Sequence, residues 1–98
     1  MNASDVKQIN EAKKRDRLNQ DQAVEDTRWM LGSINGRRFI WKYLEFCGVF
    51  RSSWDNSAKI HFNEGVRNVG LRIIDDITQA DPMALANMMK EANDKQYE

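Results

Sequence analysis

One histidine, His61, and one cysteine, Cys47, are the side chains of this chain best suited to nucleophilic or metal chemistry. Their scarcity sets the first limit. A zinc set takes about four nitrogen or sulfur ligands, and one cysteine closes no internal disulfide. No spacing places a nucleophile or a second ligand beside His61, so it reads as a packed or exposed ring. Cys47, at a helix end within an apolar arc, reads as a small buried hydrophobe. Asp75, Asp76 and Asp81 offer carboxylates for hydrolysis, but adjacent helical residues diverge by about 100 degrees and do not pair. Gly65 and Gly70 fall inside a helical pattern rather than after a strand, so they form no phosphate loop. These readings assign no catalytic residue, no metal ligand and no cofactor.

Binding chemistry has more support. Arg37, Arg38, Lys42 and Arg51 lie near Trp41 and Trp54, a mixture of cations and indoles that is the candidate partner-binding surface. At zero net charge the weightier alternative is a solvated helix face whose arginine stems cover aromatic rings. Asn63 with Arg67 and Glu64 with Asn68 are helical neighbours. They make either a polar site or, more often for such a set, an internal network tying one helix to the next. Met83, Met88 and Met89 with Leu85 read as a lid on the core rather than an adaptable partner surface.

The elements that must hold these groups are helical. One proline and no alternating run bounded by hairpin turns leave little support for strands. The pattern predicts five helical segments. The first covers 4–19, and the second covers 22–31 behind Asp21 as N-cap and ends at Gly32. The third covers 35–47 and stops at Gly48, the residue best able to turn left-handed past a helix end. The fourth covers 57–79, and Asp81-Pro82 opens the fifth as N-cap and first-turn proline. The expected architecture is an all-α, single-domain bundle of four to five helices with a partly detached N-terminal helix. Its parts are a polar helical extension over 1–20, a helical domain over 21–93 and a loose tail over 94–98.

Helical periodicity then selects faces. With Phe39 at zero and about 100 degrees per residue, Phe46, Tyr43, Cys47, Ile40 and Leu44 share an arc that reads as core. Arg38, Lys42 and Glu45 fall opposite, with Arg37 and Trp41, four apart, on the border, where the guanidinium can cover the indole face. In the next helix Phe62, Val66, Val69, Gly70, Ile73 and Ile77 fill one arc, and Ile60, Leu71 and Ile74 widen it. Asn63 and Arg67 lie among these apolar residues. Mid-helix Gly65 and Gly70 imply a close backbone approach, with Gly70 the better fit to helix packing.

Composition agrees with a small core. Ninety-eight residues make one domain, and residues 27–80 hold 24 of the apolar side chains and eight of the nine aromatics. Fifteen basic residues balance fifteen acidic ones, so no global field gathers nucleic acid or anionic membrane. No apolar run approaches the roughly 20 residues of a membrane helix, and no signal-peptide pattern opens the chain, which reads as cytoplasmic or assembled from the cytoplasm.

Three motifs in order, Gly36-Arg37-Arg38-Phe39, Cys47-Gly48-Val49-Phe50 and Phe62-Asn63-Glu64-Gly65 with Arg67-Asn68-Val69-Gly70, resemble a small domain family of tailed bacteriophages known from a Bordetella podophage. The resemblance covers about residues 27–92. It implies a protein of the structural gene region of short-tailed phages, without an established catalytic activity. The leading expectation is therefore a non-enzymatic module that binds phage structural proteins in virion or tail assembly, or sits as a minor internal virion component. The alternative is a small phage regulator that binds nucleic acid or a host protein through its basic and aromatic helix face, with Arg37, Arg38, Trp41 and Lys42, and through the basic stretch from Lys13 to Arg17. Either acts in the host cytoplasm during infection, with the virion as a second location for the first, and neither reading fixes the oligomeric state.

Overall fold

Helix α1 spans Ala3–Leu31 without a break, opened by Asn2, whose side chain accepts a hydrogen bond from the Asp5 N–H at 2.9 Å. The computed structural model describes residues 2–50 and 59–98, with side chains in the second stretch described from residue 62. The expected division of α1 at Asp21 is absent. No glycine or proline lies between residues 3 and 31, so the helical ladder continues and a capping residue in mid-helix has no free end to cap. Side-chain ties cross the expected break's far side: Gln22 Nε2 donates to Asp26 Oδ1 and Thr27 Oγ1 to the Ala23 carbonyl, both at 2.9 Å.

Helix α2 spans Ile34–Phe46 and is capped by Ser33, whose hydroxyl accepts from the Gly36 N–H at 3.1 Å. It ends as expected, with Gly48 taking a φ of 71° just after Cys47. Helix α3 spans Lys59–Ala80 and α4 spans Ala84–Asn93. Asp81 Oδ1 accepts from the Met83 N–H at 3.0 Å. The expected cap is thus used, but it closes a turn through Pro82 and the helix proper starts at Ala84. After Asn93, where a loose tail is expected, the Gln96 N–H returns to the Glu91 carbonyl at 2.9 Å and Tyr97 is half-buried.

All four helices, and no strand among the described residues, build one core of Leu31, Leu44, Ile77, Ala80, Ala84 and Met88. The Leu, Ile and Met side chains among these stabilise by roughly 1.5–3 kcal/mol each when fully buried, the two alanines by less. Gly70 lets α3 cross the end of α2: a Cβ there would lie 2.4 Å from Val49 Cγ1 and 2.6 Å from Cys47 Cβ. Gly65 has nothing within 4 Å among the described residues, so the close approach expected of it is not seen.

The buried face of α2 is rotated from the arc that periodicity selects. Leu44 and Cys47 are buried and Ile40 and Trp41 half-buried, whereas Phe39, Tyr43 and Phe46 are 50%, 44% and 74% exposed. On the same inward side lies Arg37, bonded to α4 and to the end of α1 as described below. In α3, Phe62 and Val69 are likewise exposed beside the buried Gly70 and Ile77. Of the expected methionine lid, Met88 is buried in the core while Met83 and Met89 are exposed.

The free half of α1 stands apart. Residues 2–23 are exposed except for half-buried Ala12. The face that packs through Val24 and Leu31 continues backwards through Gln20, Arg17 and Lys13, which have no apolar surface to bury beyond their stems. The radius of gyration is accordingly 18.3 Å, against about 13 Å for a compact chain of this size.

Candidate functional site

Trp41 is half-buried on α2 and is held from three sides. Its ring stacks on Phe50 with centroids 5.0 Å apart and planes 27° apart, and lies 6.2 Å from the ring of Tyr97. Its indole N–H donates to Glu45 Oε1, one turn on. Around this fixed indole opens a cleft of about 760 Å³ between α2, the turn after it and α4, lined by Trp41, Lys42, Glu45, Phe46, Phe50, Met89 and Asn93. Phe46, Phe50 and Met89 bring exposed apolar surface to its walls.

A second hollow lies on the other side of Trp41 and includes Asn35, Arg38, Phe39, Ala92 and Tyr97. Lys42 sits between the two, its Nζ 5.3 Å from the Phe39 centroid and 5.1 Å from that of Tyr43. A cation so placed screens aromatic rings that would otherwise face water bare. Arg38 Nη2 donates to Asn35 Oδ1 at 2.9 Å on the exposed side.

Arg37 points the other way. Its Nε meets Glu91 Oε1 at 2.7 Å and its Nη1 donates to the Leu31 carbonyl at 2.8 Å, so one guanidinium joins α2 to α4 and to the end of α1. The expected cover of Trp41 by Arg37 is therefore replaced by Phe50. Tyr97 Oη and Glu91 Oε2 are both buried without a hydrogen-bond partner. Burial, reinforced by the Glu91 carboxylate, pushes the Tyr97 phenol up to about 12 against the opposing pull of Arg37. The raised value favours the neutral phenol in the folded state. Its stabilising contribution is whole below pH 10 and is lost as pH rises from 10 to about 12, because the unfolded chain ionises first. Ultraviolet absorbance in alkaline titration is expected to show a phenolate transition near pH 12 in the wild type that is missing in Tyr97→Phe.

The structure thus brings Trp41 and Lys42 to one cleft, leaves Arg38 at its neighbour and turns Arg37 into the interior. Arg51 and Trp54 lie outside the described residues, as does the side chain of His61. Asn63, Glu64 and Arg67 are half-buried on α3 and Asn68 is exposed, with Arg67 Nε buried and unpartnered. Asp75, Asp76 and Asp81 serve separate local bonds, to Gln79, Arg72 and the Met83 N–H. Phe46, Phe50, Met89 and Tyr97 belong to the site but escape sequence reasoning. For Phe50 the signal is its place just past the Gly48 stop, where the chain turns back toward α2; for Met89 it is the methionine cluster of α4, read as a lid on the core; Tyr97 carries none.

The family model described as Bbp19-like phage protein matches residues 27–90, the stretch from the packed end of α1 through most of α4. No curated protein and no solved structure matches the chain.

Proposed function

The chain belongs to the Bbp19-like phage protein family, and from that premise we propose that it is a non-enzymatic assembly module whose aromatic cleft docks another phage structural protein. The observation behind this reading is the exposed apolar wall of Phe46, Phe50 and Met89 around the immobilised Trp41. Contiguous apolar surface on a small chain marks an interaction site, and a fixed tryptophan gives an anchor with little ordering left to lose on binding. The cleft suits an apolar side chain presented by a partner helix or loop, with Lys42, Glu45 and Asn93 as its polar rim. The partner is a virion or tail component met in the host cytoplasm during assembly, and the module either leaves or stays as a minor internal part of the particle.

Phe46→Ala tests this. Phe46 is 74% exposed, so its loss is expected to change folding stability by less than about 1 kcal/mol. Affinity for purified virion structural proteins is expected to fall at least about tenfold, or about 1.4 kcal/mol. A chain that binds no virion component and is missing from purified particles by mass spectrometry would defeat the reading.

The alternative regulator reading draws on Arg38 and Lys42, which stay at the surface of α2, and loses Arg37 to Glu91.

A further inference from the structure

The surface that neither the core nor the cleft explains is the free half of α1. Setting Val24 to zero and stepping about 100 degrees per residue, the packed Val24, Thr27 and Leu31 lie between about −60 and 0 degrees. Lys13 and Arg17 fall at about −20 and 20 degrees, and Lys14 and Lys7 at about 80 and 100. Asp5, Asp16 and Glu11 fall outside that arc, at about −100, −80 and 140 degrees, and the one carboxylate inside it, Asp21 at about 60 degrees, lies a turn beyond Arg17 at the body end of the row. Four cations therefore face one way along about 15 Å of helix, in a chain of zero net charge. All four are exposed, and among the described residues none is in an ion pair.

We propose that this face of the α1 arm binds the phosphate backbone of duplex DNA. Unpaired cations in a row complement a row of phosphates, and ions released from the duplex drive the contact. Between Lys7 and Arg17 the arc holds Asn10 and no apolar side chain; Val6 lies on the face only at its outer end, and Ile9 and Leu18 fall to either side of it at about −60 and 120 degrees, whereas a protein interface of this size needs aromatic or bulky apolar anchors at its centre. The arm projects clear of the body, and a helix of about 10–12 Å diameter fits the DNA major groove of about 12 Å. A-form RNA presents a major groove too narrow for it. The contact is to backbone, so it is independent of sequence.

The test uses the full chain and a fluorescein-labelled mixed-sequence duplex of about 20 base pairs, with binding followed by anisotropy from about 50 to 200 mM salt. Four phosphate contacts predict a slope of log affinity against log salt of about −3.6. Joint Lys13→Glu and Arg17→Glu substitution is expected to weaken binding at least about tenfold and to flatten the slope by about two. Lys13→Gln with Arg17→Gln gives a smaller loss in the same direction, and circular dichroism of each variant is expected to match the wild type, since these positions are exposed. Phe46→Ala leaves DNA affinity unchanged, so failure of the cleft reading and failure of this one are separable. Affinity that ignores salt, or that falls with Arg38→Glu and Lys42→Glu but not with the arm variants, overturns the proposal. So does an arm that binds a purified virion protein and not the duplex, or one that binds duplex RNA as well as DNA.

Discussion

Gly36→Ala is expected to lower the unfolding free energy by about 3 kcal/mol or more, a large part of the 5–15 kcal/mol of an ordinary domain. The added Cβ would sit 1.8 Å from the Met30 carbonyl oxygen and 2.8 Å from its carbon. Both atoms are backbone of the last turn of α1, so no rotamer change relieves the clash. Relief requires α2 to swing away from α1, which strains the Ser33 cap and the Arg37 bond to the Leu31 carbonyl. Gly70→Ala is the milder comparison, about 1–3 kcal/mol: Val49 Cγ1 can rotate away, and Cys47 Cβ, fixed to its backbone, yields only by a small shift at the end of α2. Gly65→Ala has the opposite sign. With nothing within 4 Å among the described residues, it trades a helix-weakening residue for the best helix former and is expected to add up to about 1 kcal/mol. Urea unfolding of the three variants measures the order. Equal effects at Gly36 and Gly65 would contradict the crossing of α1 and α2.

Arg37→Ala is expected to cost about 2–3 kcal/mol. The pair it breaks is mostly out of water, with side chains 24% and 16% exposed, which places it below the 3–5 kcal/mol of a fully buried pair. The loss also leaves the Leu31 carbonyl without its guanidinium donor and adds a second unpaired oxygen to Glu91, whose Oε2 is already buried and unpartnered. Glu91→Gln keeps an acceptor and a similar shape and is expected to cost less. In a double-mutant cycle with Glu91→Ala, a coupling of about 1–2 kcal/mol identifies the pair as the tie between α2 and α4. A coupling near zero would return Arg37 to the surface and to the partner-binding set.

The helices are largely legible in the sequence because their ends carry chemical punctuation: Gly32, Cys47-Gly48, and Asp81-Pro82. The break expected at Asp21 fails for the complementary reason, since a cap residue without glycine or proline beside it only permits a helix to start. The side of α2 that faces the core is not legible. Phe39, Ile40, Trp41, Tyr43, Leu44 and Phe46 surround most of that helix with apolar groups, so periodicity alone has several acceptable solutions. The observed one is tied by Arg37 to Glu91, a partner 54 positions away, and by Gly36 against the Met30 backbone, contacts that no local pattern reveals. The same rotation moves Phe46 from expected core to cleft wall. Trp41 and Lys42 are legible as site residues because both lie toward the polar border of α2 under either rotation.

The crossing at Gly70 also makes the protein its own reporter. Cys47 is the sole thiol of the chain and is buried there, its Sγ within 3.5 Å of where a Cβ on Gly70 would lie. A thiol reagent reaches it only when α2 and α3 part. Labelling kinetics in native buffer therefore time the breathing of that junction, residue-specifically and without any engineered probe.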